Sequence, residues 1–319
     1  MDNYYRKRTD LALEAHEINS ERGRDDGVIV DEKEIDGVKV TVAEVKEGEG
    51  ENLTGKPAGV YTTVDIGKVW QYDSERFNKT ARVLSDIINQ LLPEHDDEKC
   101  VLVAGLGNVE ITPDSIGPKV VSKIIVTRHI RTLNKELYEN VGFGNLAAIS
   151  PGVLGQTGIE SAEIIKSVID KVSPFCVILI DALASRKLSR LATTVQLCDT
   201  GLRPGAGVAN NRIEMNSKSF GIPVVSIGVP TVVDAATLAY DLLEELVSSS
   251  DTNAGNNNNF EEQYDKIIDK LMSGSGRSMF ISPKESDVIT RETARLISTS
   301  INLSLHKGID IMDMGEYLT

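Results

Sequence analysis

The chain has 319 residues, 40% of them hydrophobic, and carries 34 basic against 48 acidic side chains for a net charge of −14. This is enough apolar material for one large α/β domain or two smaller ones without help from disulfides, and the acidic balance argues against a nucleic-acid backbone as direct ligand. No apolar run approaches the roughly 18 residues of a membrane span, and the start, M-D-N-Y-Y-R-K-R-T-D, lacks the apolar centre of a signal peptide, so a cytoplasmic protein is expected.

Residues 1–26 are polar and charged, with a short helical pattern at Leu11, Leu13 and Ala15. Alternation then begins at Val28 and Val30 and returns at Val38, Val40 and Val42, with Asp36-Gly37 between. Asp-Gly between alternating apolar runs predicts a hairpin, because both turn positions need positive φ. An acidic, glycine-rich loop over 47–55 leads to a further strand over 60–66, so the first 70 residues read as a mostly β appendage.

Asp73 or Ser74 is positioned to cap a helix that carries Phe77, Ala81, Leu84, Ile88 and Leu91 on one stripe. Residues 100–118, C-V-L-V-A-G-L-G-N-V-E-I-T-P-D-S-I-G-P, then read as strand, loop and helix, with Asp114 at the mouth. A short, wholly apolar strand of this kind belongs in a parallel sheet covered on both faces, where ligands sit off the carboxyl ends of the strands. A strand at 147–149, a loop at 150–158 and a helix ending near Pro174 follow. A second apolar strand, F-C-V-I-L-I at 175–180, ends at Asp181 and brings a second carboxylate to the same edge. A loop over 196–212, a strand over 222–229 and a helix opening at T-V-V-D come next, with Asp234 read as a capping residue. Residues 248–259, S-S-S-D-T-N-A-G-N-N-N-N, read as a disordered surface loop; a helix at 260–272, a short strand at 279–281 and an amphipathic helix at 285–305 close the chain. The expected fold is an α/β three-layer sandwich, phosphorylase/hydrolase-like, with a mostly parallel sheet flanked by helices and a β-rich N-terminal appendage.

The chemistry narrows by elimination. Gly105-Leu106-Gly107 after a strand suggests a dinucleotide loop, but the third glycine position holds Glu110, whose charge would repel a pyrophosphate. The four histidines, His16, His95, His129 and His306, are not at metal-ligand spacings, and Cys100, Cys176 and Cys198 read as buried reduced thiols; no metal or other cofactor is expected. What remains is Asp114 with Asp181. Two neighbouring carboxylates divide labour, one taking a proton from water and the other donating one. The same pair could hold a divalent metal instead, or could be no more than two helix-capping residues. Gly105, Gly107, Asn108, Gly155, Arg186, Asp199 and Arg203 lie in the surrounding loops and are candidate substrate-binding positions.

Several longer motifs carry a resemblance: R-T-D-L-A-L-E-A-H-E at 8–17, G-L-G-N-V-E-I-T-P-D-S-I-G-P at 105–118, D-A-L-A-S-R at 181–186, C-D-T-G-L-R-P-G-A-G-V at 198–208 and G-I-P-V-V-S-I-G-V-P-T-V-V-D-A at 221–235. In this order they resemble the germination protease of endospore-forming bacteria. The resemblance implies an endopeptidase of the spore core that degrades small acid-soluble spore proteins, a fold similar to the hydrogenase maturation proteases, a homotetramer, and synthesis as a zymogen. It assigns the two essential aspartates to Asp114 and Asp181 and the processing bond to Asp10-Leu11. It further implies a propeptide at 1–10, an arm and hairpin at 11–72 and a catalytic core at 73–319. A metal-dependent peptidase using the same acids and a non-catalytic binding protein are the alternatives.

Overall fold

In a computed structural model, residues 9–20, 23, 27–94, 99–203, 213–248 and 279–314 are described. Nine strands among them form one sheet: β1 (Val28–Ile35), β2 (Val38–Val45), β3 (Gly59–Asp65), β4 (Val101–Gly105), β5 (Leu146–Ile149), β6 (Cys176–Ser185), β7 (Thr194–Cys198), β8 (Val224–Asp234) and β9 (Phe280–Ile281). Their order is β1-β2-β3-β7-β8-β6-β4-β5, with β9 added to the far end of β8. The run β8-β6-β4-β5 is parallel, while β1, β2, β3 and β7 join it through antiparallel pairings. The N-terminal strands therefore extend the same sheet.

The parallel strands are apolar on both faces because helices cover both. Val101, Val103, Ile178 and Ile180 pack with helices Ser74–Leu91, Ile116–Val121 and Ser286–Leu305. Their neighbours Leu102, Ala104, Val177 and Leu179 face the other way, against helix Ser161–Val172. This alternation with a period of two makes the three layers expected from the sequence. The chain leaves β4 toward β5 on one side, and leaves β6 toward β8 on the other. A cleft between the carboxyl ends of β4 and β6 is thus a topological switch point, the usual place for a ligand in such a sheet.

Local signals behave as their chemistry requires. Asp36 and Gly37 have φ of 51° and 79°, the double left-handed turn that links β1 to β2. The Asp73 carboxylate accepts the Arg76 N–H at the start of its helix. All three cysteines are free and buried. Several boundaries differ, among them the loops expected over 47–55 and 150–158, which hold the short helices Glu49–Thr54 and Leu154–Thr157. The strand expected to stop before Asp181 continues to Ser185, because β8 stays paired beside it through a register shift between Leu183 and Ala184. Residues 196–198 belong to β7 and not to a loop, since they pair with both β3 and β8. Thr231 lies within β8, and it is Asp234 that caps the following helix by accepting the Thr237 N–H. Of the loop expected at 248–259, Ser248 ends the helix Ala235–Ser248; the rest of it and the helix expected at 260–272 lie outside the described residues. Among the described residues no helix is long and apolar enough to cross a membrane.

One histidine is part of this packing. His306 follows the closing helix and is wholly buried. Its Nδ1 accepts the Gly144 N–H at 3.1 Å, so its Nε2 donates to the Ile125 carbonyl at 2.9 Å. Burial lowers its pKa from 6.5 to about 4, with the bond to Ile125 opposing. The ring is neutral in the fold, so the stability it contributes is complete above pH 6.5 and is lost as pH falls through about 4. The loss amounts to about 3 kcal/mol. Urea unfolding from pH 7 to pH 4 should accordingly show a drop of that size in the native chain that is missing from His306→Asn; parallel pH curves for the two would refute it.

Candidate active site

The loop after β4 is shaped by glycines. A Cβ on Gly105 would lie 2.2 Å from the Gly117 carbonyl oxygen, so strand and helix approach more closely than any side chain would permit. Gly107 has a φ of +112°, and a Cβ there would lie 1.9 Å from the carbonyl oxygen of Asp114. The loop thus folds back on itself and returns Asp114 to the strand end. Asp114 closes the turn Thr112–Asp114, and its Oδ2 accepts the Asn108 N–H at 2.7 Å. The Thr112 hydroxyl donates to Asp287 at 2.8 Å, tying the turn to the closing helix.

Asp181 is carried on the face of β6 that also bears Val177 and Leu179. It is 8% exposed, and its Oδ1 accepts the Ala182 N–H at 2.9 Å. Its register partner on β8 is Gly228, whose other partner is Gln196 of β7. A Cβ at 228 would lie 2.3 Å from the Leu183 side chain, so the glycine makes room for Leu183 to lie over β8. Asp114 and Asp181 line one cavity of about 450 Å³, together with Leu106, Leu183, Thr231 and Phe280.

The N-terminal arm enters the same cavity. Asp10 lines it, donating its N–H to the Ala184 carbonyl at 2.8 Å and accepting the Ala184 N–H on its own carboxylate at 2.8 Å. Gln196 bridges the next bond, accepting the Ala12 N–H at 2.8 Å and reaching the Asp10 carbonyl with its amide at 3.5 Å. Leu11, between them, is fully buried. A second cavity of about 110 Å³ adjoins the first and shares Asp10, Asp181 and Leu183 with it, adding Lys56, Gln196 and Arg203.

Helix Ala12–Ser20 anchors the arm through two carboxylates. Glu14 is wholly buried and accepts the N–H groups of Arg186 and Lys187, at 2.7 and 3.1 Å, and the Thr9 hydroxyl. Glu17 meets Arg190 through both guanidinium nitrogens and also meets Lys187. Burial acts to raise the pKa of Glu17, but Arg190 and Lys187 outweigh it and hold the carboxyl at about 2. The contribution of Glu17 to docking is therefore complete above pH 4.5 and is lost as pH falls through about 2.

The sequence-derived candidates divide. Asp10, Gly107, Asp114 and Asp181 line one cavity, Leu11 is buried and lines neither cavity, Gly105 and Asn108 support the loop, and Arg203 lines the smaller cavity while pairing with Glu214. Asp199 accepts the Val60 N–H beside β3. Arg186 lines neither cavity: its buried guanidinium pairs with Asp241 at 3.1 Å. Gly155 lies in the short helix Leu154–Thr157 with open space around it. Lys56, Gln196, Glu14 and Glu17 were not singled out. Gln196 alone left a trace, a lone polar residue in the apolar strand T-V-Q-L-C. Among the described residues no group of three or more His, Cys, Asp or Glu side chains is arranged to hold a metal ion.

These features define a mixed α/β protein of enzyme type, with a carboxylate-bearing cavity at the switch point of its sheet and a segment of its own chain lying in it. The family model described as germination protease, Peptidase_A25, matches residues 8–259. The germination protease of Caldanaerobacter subterraneus subsp. tengcongensis is 43% identical over 98% of both chains, and that of Clostridium perfringens is 41% identical over 98% of this chain and 99% of its own. The chain belongs to the germination protease family and is an endopeptidase. Among solved structures, the NiFe hydrogenase maturation protease HycI of Thermococcus kodakarensis aligns with 67% of this chain and 98% of its own at a TM-score of 0.35 and 14% identity, a likeness too slight to bear on the site.

Truncating Glu14 would strand two main-chain N–H groups in a dry environment. Glu14→Ala should cost about 3 kcal/mol and open residues 9–20 to limited proteolysis ahead of the remaining chain. An unchanged cleavage pattern would show that the buried carboxylate does not hold the arm.

Proposed function

We propose that this endopeptidase begins the degradation of small acid-soluble spore proteins during germination, and that it is made as a zymogen that cuts its own Asp10-Leu11 bond. The observation that carries this reading is the seating of Asp10 in the one cavity that also contains Asp114 and Asp181. Residues 1–10 would be the propeptide, 11–72 the arm and hairpin, and 73–319 the catalytic core. In this reading the ionised aspartate takes a proton from water as the water oxygen attacks the scissile carbonyl. Its protonated partner donates to the carbonyl oxygen; as the C–N bond breaks, the proton gained from water passes to the leaving amine and the oxygen returns its proton to the partner. The apolar side chains Leu106, Leu183 and Phe280 in the same lining support the reading, because apolar surroundings raise the cost of keeping two neighbouring acids both ionised. The acidic net charge suits an enzyme that leaves DNA alone and takes up the DNA-coating proteins once they are released from it. The assembly carried over from the family resemblance is a homotetramer.

Incubation of the purified full-length chain, alone and with a small acid-soluble spore protein, tests the proposal by mass spectrometry. The native chain should lose residues 1–10 and cut the added protein, with both activities surviving a chelator. Asp114→Asn and Asp181→Asn should each lower both rates by about 10³-fold with unchanged circular dichroism. Near-native rates in either variant would remove that aspartate from the chemistry.

A further inference from the structure

The smaller cavity contains a cation that the aspartate chemistry does not use. Lys56 follows the left-handed cap at Gly55 that ends helix Glu49–Thr54, and its Nζ points back to the arm, donating to the Thr9 carbonyl at 3.3 Å. It lines the cavity with Asp10, Asp181 and Gln196. Among the described residues it makes no ion pair, and its hydrogen-bond partner is that one carbonyl, on the residue preceding Asp10. Burial lowers its pKa, and the strongest opposing influence is the charge of Asp10, ahead of that of Glu14. The other cation in the cavity, Arg203, is already paired with Glu214.

An ammonium taken out of water is costly unless an opposite charge accompanies it. Among the described residues no carboxylate of the folded body pairs with it; the accompanying charge arrives with the arm, on the residue just before the bond assigned above to cleavage. The Asp10 carboxylate is itself divided: Oδ2 takes the Ala184 N–H, leaving the group's charge to be balanced through space. A main-chain N–H donates to any oxygen, amide or acid alike, and so cannot tell Asp from Asn. A positive charge can.

We propose that Lys56 is the specificity-determining residue that selects an acidic side chain on the amino-terminal side of the scissile bond. This rests on the reading of Asp10-Leu11 as the chain's own substrate. In that position Lys56 would hold the preceding carbonyl by hydrogen bond and the acidic side chain by charge, and Ala184 would fix the main chain between them.

A double-mutant cycle on self-processing in the full-length chain tests it, with the rate of loss of residues 1–10 followed by mass spectrometry for the native chain, Lys56→Met, Asp10→Asn and the pair. Lys56→Met should slow processing about tenfold or more when residue 10 is Asp, but at least fivefold less strongly when it is Asn, as expected for two coupled charges. Lys56→Arg, which keeps the cation, should retain most of the preference for Asp over Asn. Equal slowing by Lys56→Met in both backgrounds, or an Asp preference that survives it, would overturn the assignment. A native chain that never loses residues 1–10 would instead overturn the self-substrate reading beneath it, which keeps the two failures apart.

Discussion

The pairing of β4 with β6 is the contact on which the site depends. Parallel strands must be joined by long crossovers, so their neighbours in space are set by topology and not by proximity in sequence. Register places Gly105 beside Ile180, so the loop that leaves β4 emerges next to Asp181. Everything that follows in that loop is then a matter of close approach. Gly107 and Gly117 remove the side chains that would push the loop outward, and the Asn108 N–H fixes the Asp114 carboxylate. A slip of one residue between β4 and β6 would turn Asp181 to the opposite face of the sheet, among Ile178 and Ile180, and the two acids would no longer share a cavity.

Much of this was legible in the sequence because it is local. Asp36-Gly37 makes its turn by its own torsional preference, and the stripe from Phe77 to Leu91 makes its helix by spacing. The wholly apolar runs at β4 and β6 declared buried strands, and buried strands of that kind imply a sheet edge where Asp114 and Asp181 meet. The errors are equally physical. β6 runs past Asp181 because β8 remains alongside to satisfy its main-chain groups, and nothing in the residues 181–185 says where that partner ends. Arg186, a charged residue in a motif rich in small ones, suggested a ligand-facing role, yet its charge is balanced internally by Asp241, which lies far away in sequence.

The arm shows the other limit of a linear reading. Leu11, Leu13 and Ala15 give a weak helical signal, and its polar flanks read as solvated. Its order comes from groups on distant segments: Gln196 on β7, the turn at 186–190 after β6, and Lys56 near the start of β3. Gln196 apart, none of these has a neighbour in sequence that marks it. They become related only when the antiparallel half of the sheet brings β3 and β7 against the parallel half.

The seating of Asp10 and Leu11 also has a kinetic side. A segment joined to its own binding site is present there at a fixed local concentration, of the order of millimolar for short tethers, whatever the amount of protein in the compartment. Under the proposed self-processing, any free polypeptide would compete with it at that concentration, while cutting of the tethered segment would be unimolecular and indifferent to dilution. Docking the arm across Ala184 and Gln196 would therefore order the proposed events, with the tethered Asp10-Leu11 bond met before any free chain.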